Sequence, residues 1–197
     1  MCISKTVPWG TLITGIFLIL AGCNSAGIKH SDSGQEKNIS FAEYCASNPC
    51  RKNVDITLRT EKQDFHQTLE LYWPVVQKDR ISLLPGETVY VEADLVDGKA
   101  VNLKSVSSIE KPESTLTFTF EQEDDDIGMV LSVKNPFSAN LKYHLDMIDF
   151  QGIPHHTSSC PAIATGGAYE MWPHPIPEIV VSDIHVVTEK EGFGCVY

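Results

Sequence analysis

The sequence predicts an all-β fold, namely a single antiparallel β-sandwich of about eight strands. Three observations support this prediction. Apolar and polar residues alternate in eight short segments, turn-forming residues separate those segments, and no stretch of ten residues beyond position 22 has convincing helical periodicity. A strand with one apolar face has to bury that face against another layer, and a second packed sheet provides that layer.

The first 22 residues have the composition of a cleaved leader. Lys5 supplies a positive charge, and the apolar run at 12–19 is shorter than the roughly 20 residues that a membrane-spanning helix needs. The motif Leu-Ala-Gly-Cys at 20–23 follows this run and resembles the lipobox of bacterial lipoprotein signal peptides. An ordinary secretory signal or a short membrane anchor, with Cys23 present by chance, is the alternative.

The lipobox resemblance implies that signal peptidase II cleaves before Cys23, and that Cys23 then carries two or three acyl chains. One chain holds a protein on a bilayer only marginally, whereas several chains anchor it stably without a transmembrane helix. Asn24 stands where an Asp would resemble an inner-membrane retention signal. We therefore expect an anchor in the lipid bilayer of the outer membrane, with the protein facing the periplasm.

Residues 23–40 predict a flexible tether, because serine, glycine and charged residues outnumber apolar ones there. Residues 41–197 form the predicted sandwich domain, which begins with one short helical turn at 41–45. Removal of residues 1–22 from the 197-residue chain leaves 175 residues, a length typical of one domain.

The eight alternating segments account for most of the domain. In chain order they are 54–58, 69–73, 89–95, 101–103, 116–120, 129–133, 141–147 and 179–187. Turn signals lie between them at Pro85-Gly86, Asp97-Gly98, Asn135-Pro136 and Gly152. Asp97-Gly98 predicts a two-residue hairpin that joins a strand at 88–96 to a strand at 99–106.

Four cysteines follow Cys23, and they are Cys45, Cys50, Cys160 and Cys195. An even number of cysteines in an oxidising compartment predicts disulfides, and four cysteines allow three pairings. We favour Cys45–Cys50, which closes a short loop, and Cys160–Cys195, which ties the C-terminal end to the domain. A zinc site of four cysteines is the alternative, and the compartment disfavours it.

The formal net charge is −11 at pH 7, and removal of residues 1–22, whose single charged residue is Lys5, makes it −12. This charge argues against nucleic acid and against a surface that binds lipid headgroups. The acidic cluster at 121–126 lacks the spacing of a calcium-binding EF-hand, which favours a solvated hairpin tip. The chain also lacks the signatures of serine hydrolases and phosphate-binding loops, so we expect a non-enzymatic protein without a cofactor.

The segment at 158–177 interrupts the strand pattern with four prolines and predicts a long, ordered loop held by Cys160. It concentrates Tyr169, Met171 and Trp172, which are residue types enriched at protein interfaces. We therefore expect this loop to contact another protein of the cell envelope. The alternative is that the loop closes one end of the sandwich, with Trp172 buried as a plug.

Five histidines lie in the C-terminal third of the chain, and they are His144, His155, His156, His174 and His185. Imidazole and thioether ligands suit copper, and Met147 and Met171 lie nearby in sequence. A periplasmic metal-binding protein that uses His155, His156 and His174 is therefore the alternative function. No spacing in the sequence defines a ligand geometry, so histidines without metal are the simpler interpretation.

Two further stretches resemble known families. The sequence Val-Lys-Asn-Pro-Phe at 133–137 resembles the strand and Asn-Pro turn of the immunoglobulin-like late-embryogenesis and water-stress domains. That resemblance implies a sandwich of the immunoglobulin-like kind. The motifs Thr-Ser-Ser-Cys-Pro at 157–161 and Tyr-Glu-Met-Trp-Pro at 169–173 resemble the tail of uncharacterised proteobacterial lipoproteins, a family that implies no activity.

Overall fold

Antiparallel strands make up most of the computed structural model, which describes residues 39–196. The predicted signal peptide, the lipidation site Cys23 and most of the predicted tether lie outside the described residues. One helix, α1 (Phe41–Ser47), precedes the strands. The strands are β1 (Cys50–Leu58), β2 (Phe65–Pro74), β3 (Val76–Gln77), β4 (Arg80–Leu83), β5 (Glu87–Val96), β6 (Lys99–Val106), β7 (Thr115–Gln122), β8 (Met129–Lys134), β9 (Leu141–Ile148), β10 (Pro154–Thr157), β11 (Gly167–Trp172) and β12 (Glu178–Val186). Within this part of the chain, no helix is long and apolar enough to cross a membrane.

The strands form an open antiparallel sandwich of two layers. One layer has the order β6, β5, β7, β8 and β11, and the other has β10, β9 and β12, with β4 and then β3 beyond β12. The layers are continuous where β12 meets β6, at the single pair His185 and Lys99. The core lies between them and includes Phe118 of the first layer and Val181 of the second, both buried. The predicted all-β antiparallel fold is confirmed.

The alternation read from the sequence sets which side chains enter this core. In β7, Leu116, Phe118 and Phe120 are buried, whereas Thr117 and Thr119 between them are half-buried on the outer face. Burial of each such apolar side chain stabilises the fold by about 1.5–3 kcal/mol. All eight segments that the sequence predicts as strands lie in strands of the structure, except that the last one extends past the end of β12 by one residue, Val187.

The predicted hairpin at Asp97-Gly98 is also confirmed. Asp97 has φ 50° and Gly98 has φ 75°, and these two residues alone separate β5 from β6. Positive φ at both central residues is the geometry of a type I′ turn, whose twist matches that of the flanking strands.

The hairpin of β1 and β2 is a separate two-stranded sheet that packs on the sandwich through buried Ile56 and Leu58. The helix α1 precedes it and begins with a capping box, in which Ser40 caps the N-terminus and Glu43 accepts from the Ser40 backbone. The predicted helical turn is therefore confirmed and is longer than expected. Ser40, assigned to the tether from sequence, belongs structurally to this cap.

The prediction of one long loop at 158–177 is wrong in its middle part, because β11 lies there. The four prolines flank this strand and do not interrupt it. Ala168, Glu170 and Trp172 point inwards while Tyr169 and Met171 are exposed. The inward position of Glu170, a charged residue, concealed the alternation. The short strands β3, β4 and β10 were also missed, and β4 has three successive buried residues and hence no period of two.

Both favoured disulfides are present, Cys45–Cys50 and Cys160–Cys195. The first connects α1 to the start of β1. The second holds the C-terminal segment against the domain, where Ser159 and Val196 also exchange backbone hydrogen bonds at 3.0 and 2.9 Å.

Candidate functional site

A cluster of two imidazoles and one carboxylate lies on the outer face of β9 and β10. His144 and Asp146 are two residues apart on β9, so both project to the same face. His156 of β10 pairs directly with Asp146, which brings its side chain to the same place. One ligand atom from each of the three residues lies within 4.8 Å of the other two.

Hydrogen bonds orient both imidazoles of this cluster. His156 Nδ1 lies 3.2 Å from the Leu145 carbonyl oxygen, which can only accept, so Nδ1 is the donor in this hydrogen bond. His144 Nε2 lies 3.0 Å from Asp146 Oδ1. The two rings stack with centroids 4.4 Å apart and planes inclined by 9°.

A cleft of about 390 Å³ adjoins the cluster. Its lining includes Lys142, Asp183, His185 and Glu191 in addition to both stacked histidines. His185 Nε2 lies 3.0 Å from Glu191 Oε1. Hydrogen bonds from Thr188 and then from His185 lower the pKa of Glu191 to about 2. The cleft therefore carries anionic charge at neutral pH.

The structure does not bring His155, His156 and His174 together as one ligand set. His155 and His156 are neighbours in β10 and therefore project to opposite faces. His155 Nε2 lies 2.8 Å from Asp149 Oδ2, and this hydrogen bond holds the pKa of Asp149 below its ordinary value. His174 lines a different cleft.

That second cleft has a volume of about 690 Å³ and lies beside Phe65 and Phe150. The two rings meet edge to face with centroids 4.9 Å apart. His174 and Pro175 both line this cleft, and His174 Nδ1 lies 3.4 Å from the Pro175 carbonyl oxygen. The cleft is open and partly apolar, and the sequence analysis did not identify it.

The three predicted interaction residues separate into two environments. Tyr169 is 74% exposed and Met171 is 66% exposed, whereas Trp172 is only 6% exposed. The Trp172 ring packs edge to face on Phe120 with centroids 6.4 Å apart. Trp172 is therefore the buried plug of the alternative interpretation, and Tyr169 and Met171 remain accessible on β11.

Tyr169 ends a row of hydroxyl side chains that crosses four strands. The row runs in register from Thr88 through Thr119 and Ser132 to Tyr169. Thr88 Oγ1 and Thr119 Oγ1 are 3.0 Å apart. This part of the outer face is consequently polar and uncharged, and it ends at β11, the last strand of its layer.

A buried carboxyl group was missed by sequence analysis. Glu170 is buried and accepts a hydrogen bond from the Cys160 backbone N–H. Burial raises the pKa of Glu170 more than this hydrogen bond lowers it. Burial, together with the nearby charge of Glu170, also raises the pKa of Tyr143. The sequence signal for this group was the position of Glu170, a charged residue, between the inward-facing Ala168 and Trp172.

A second polar cluster joins the β1–β2 hairpin to the sandwich. Arg51 Nη1 lies 2.6 Å from Glu87 Oε2, and Arg51 Nη2 donates to Ser82 Oγ at 2.6 Å. Ser82 Oγ and Tyr72 Oη both donate to the carboxylate of Glu178. Burial, and then the hydrogen bond to Glu178, raises the pKa of Tyr72. Every polar group in this cluster has a partner within the chain, so we interpret the cluster as structural.

Comparison with protein-family models, with curated proteins and with solved structures finds no match to this chain. The function proposed below therefore depends on the residues and contacts of this chain alone.

Proposed function

We propose that this chain is a non-enzymatic, membrane-anchored lipoprotein whose β-sandwich domain docks another protein of the cell envelope. The observation that carries the docking proposal is the exposure of Tyr169 and Met171, side by side on one face of β11, the last strand of its layer. The partner that fits this edge is an extended protein segment that adds a strand to β11.

The membrane anchor is supported by sequence. The lipobox motif at 20–23 places the acylated residue at Cys23, and Asn24 favours the outer membrane with a periplasm-facing domain. The two disulfides are consistent with an oxidising compartment. A short tether then holds the domain close to the membrane surface, where other envelope proteins are within reach.

Free backbone groups on β11 support strand addition. Within the described residues, β8 is the one strand that pairs with β11, and Gly167 O accepts from Ile163 N at 3.2 Å on the opposite side. Backbone groups alternate sides along an antiparallel strand. Tyr169 and Met171 therefore present their N–H and C=O groups at the free edge.

The outward side of β11 carries neither a proline nor a charged side chain, two of the features that usually prevent pairing with another chain. Such edges are blocked by proline or by charged side chains, especially lysine. β10, an edge strand of the other layer, begins with Pro154, whereas β11 contains no proline and its outward residues are Gly167, Tyr169 and Met171. The contrast favours β11 as the edge that receives a partner.

Site-specific crosslinking tests this proposal. A photoreactive residue at position 169 in the full chain, expressed in its membranes, should crosslink one envelope protein, and the same residue at 193 should not. Phe193 is the matched control because it is also an exposed aromatic residue, 52% exposed, and is not part of β11. Met171→Pro should abolish the crosslink, because proline removes an N–H at the free edge while the pairing with β8 is kept.

The melting temperature of Met171→Pro has to remain close to that of the native chain for this test to hold. Equal crosslinking from 169 and 193, or crosslinking that persists in a folded Met171→Pro variant, would contradict docking at β11.

A further inference from the structure

We propose that His144, Asp146 and His156 form a binding site for a divalent transition-metal ion, Zn²⁺ or Cu²⁺. The site lies on the outer face of the layer that contains β9 and β10, and β11 belongs to the other layer. It is therefore independent of the docking function proposed above. The ligand set also differs from the one that the sequence suggested, because the structure replaces His155 and His174 with His144 and Asp146.

The strand geometry places the three ligands at the corners of a small triangle. Two come from alternate positions of β9 and the third from the residue opposite on β10. Their ligand atoms lie within 4.8 Å of one another. A tetrahedral ion with bonds of 2.0–2.2 Å needs its ligands about 3.3 Å apart. Binding therefore requires side-chain rotations that bring the ligand atoms together by up to roughly 1.5 Å.

The stacked rings of His144 and His156 have to turn before both can bind the same ion, because two parallel rings do not point their nitrogens at one ion. The terminal ring torsion of histidine has a broad energy profile, so the rotation is inexpensive. His156 is exposed and stands on an edge strand, so its ring has solvent on one side into which it can turn. The ion then takes the place of the proton between His144 Nε2 and Asp146 Oδ1, which are 3.0 Å apart.

The chemistry of the three residues fits a metal of intermediate softness. Two imidazole nitrogens and one carboxylate oxygen are a usual protein ligand set for Zn²⁺ and Cu²⁺, and they leave at least one position for water. Metal-bound histidines commonly donate their other N–H to a backbone carbonyl, which orients the ring. For His156 the Leu145 carbonyl oxygen, 3.2 Å from Nδ1, is the acceptor available for this role.

The charges around the cleft favour a cation. Asp183 and Glu191 line it together with Lys142, and His185 is paired with Glu191. The formal net charge of the whole chain is −11, which also attracts cations. Because the cluster opens to solvent, an ion can reach it directly from solution.

Metal titration of the full purified chain tests this site. Zn²⁺ and Cu²⁺ are added singly to chelator-treated protein in a buffer that does not bind metal, and affinity is measured by competition with a chromophoric chelator. We expect one tight ion per chain. His144→Gln, Asp146→Asn and His156→Gln should each weaken binding by at least tenfold.

His155→Gln and His174→Gln are the matched controls, and their affinity should remain within twofold of the native value. Both histidines lie in the same part of the sequence, and neither belongs to the cluster. All five positions bear polar side chains on or near the surface, so the melting temperatures should show that each variant is folded.

The paramagnetic resonance spectrum of the Cu²⁺-loaded chain provides an independent readout. It should show hyperfine splitting from two imidazole nitrogens, reduced to one in either His144→Gln or His156→Gln. Affinity that is unchanged in all three cluster variants overturns the proposal. Loss of binding in the His155 or His174 controls also overturns it, because the ion would then lie elsewhere.

Discussion

Trp172 Nε1 donates a hydrogen bond to Thr157 Oγ1 at 2.7 Å, and this bond joins the edge strands of the two layers. Trp172 is the last residue of β11 and Thr157 is the last residue of β10. The indole ring also packs on Phe120 in the core. The pair thus closes the side of the sandwich opposite to the junction of β12 with β6.

Trp172→Ala should reduce the free energy of unfolding by about 3–5 kcal/mol, because it removes a large buried ring and leaves a cavity. Trp172→Phe should cost less, since it keeps most of the packing and loses the hydrogen bond to Thr157. Urea unfolding followed by circular dichroism measures both. Tyr169→Ala is the surface control on the same strand, with an expected change within about 0.5 kcal/mol. A loss below about 1 kcal/mol for Trp172→Ala would show that the ring is not the plug.

Arg51→Met should destabilise the domain by about 3–5 kcal/mol, because it leaves the carboxylate of Glu87 without its charged partner in a part-buried site. Lys111→Met is the matched control, because Lys111 forms an ion pair with Glu92 at 2.9 Å on the surface. Its side chain is 60% exposed, compared with 10% for Arg51. Exposed pairs contribute about 0–1 kcal/mol, so equal losses in the two variants would contradict the structural role of the Arg51 cluster.

The stability of the domain should depend on pH through Glu170. Burial raises the pKa of its carboxyl group, so the folded state binds the proton more tightly than the unfolded state does. The stabilising contribution is complete below the unfolded pKa and is lost as the pH rises through the folded pKa. Glu170→Gln lacks this dependence. Between the unfolded and the folded pKa of Glu170, the stability of the variant relative to the native chain should therefore increase as the pH rises. Above the folded pKa the difference should be constant.

Unfolding titrations of both chains at a series of pH values from 3 to 8 test the role of Glu170. A difference that is flat throughout, or that decreases with rising pH, would show that burial does not raise the pKa of this carboxyl.

The two disulfides should differ in their effect on stability. Cys160 and Cys195 are 35 residues apart, whereas Cys45 and Cys50 are 5 apart. Closing the longer loop restricts the unfolded chain more. The chain-entropy model therefore gives about 4 kcal/mol for Cys160–Cys195 and about 2 kcal/mol for Cys45–Cys50. Paired Cys→Ala variants in urea unfolding measure both losses, and non-reducing peptide mapping checks the pairing. The reverse order of losses would contradict the entropic explanation.

Cys23→Ser should prevent acylation and processing of the leader. The reason is that the proposed anchor depends on a thioether at Cys23, behind the Leu-Ala-Gly motif at 20–22. Membrane fractionation and the mass of the intact chain measure the result. A Cys23→Ser chain that is still cleaved before residue 23 and still requires detergent would rule out lipidation at this position.

The sequence by itself determined the fold class, because strand alternation and turn chemistry are local. Leu116, Phe118 and Phe120 define a buried face within one segment, and Asp97-Gly98 defines a hairpin within two residues. The disulfide pairing was also predictable, since a short loop and a C-terminal staple were the favoured arrangement. The lipobox is local as well, and it remains a prediction because residues 1–38 lie outside the described residues.

Only the tertiary structure decided which histidines lie together and which aromatic residue is accessible. His155 and His156 are adjacent in sequence, but a strand sends them to opposite faces, and pairing of β10 with β9 brings His156 to His144 and Asp146. Trp172 and Met171 are likewise neighbours, yet one closes the core and the other faces solvent. Both outcomes depend on strand register and on which layer covers each face. Contacts between distant segments decide these properties, and a period of two along one segment does not encode them.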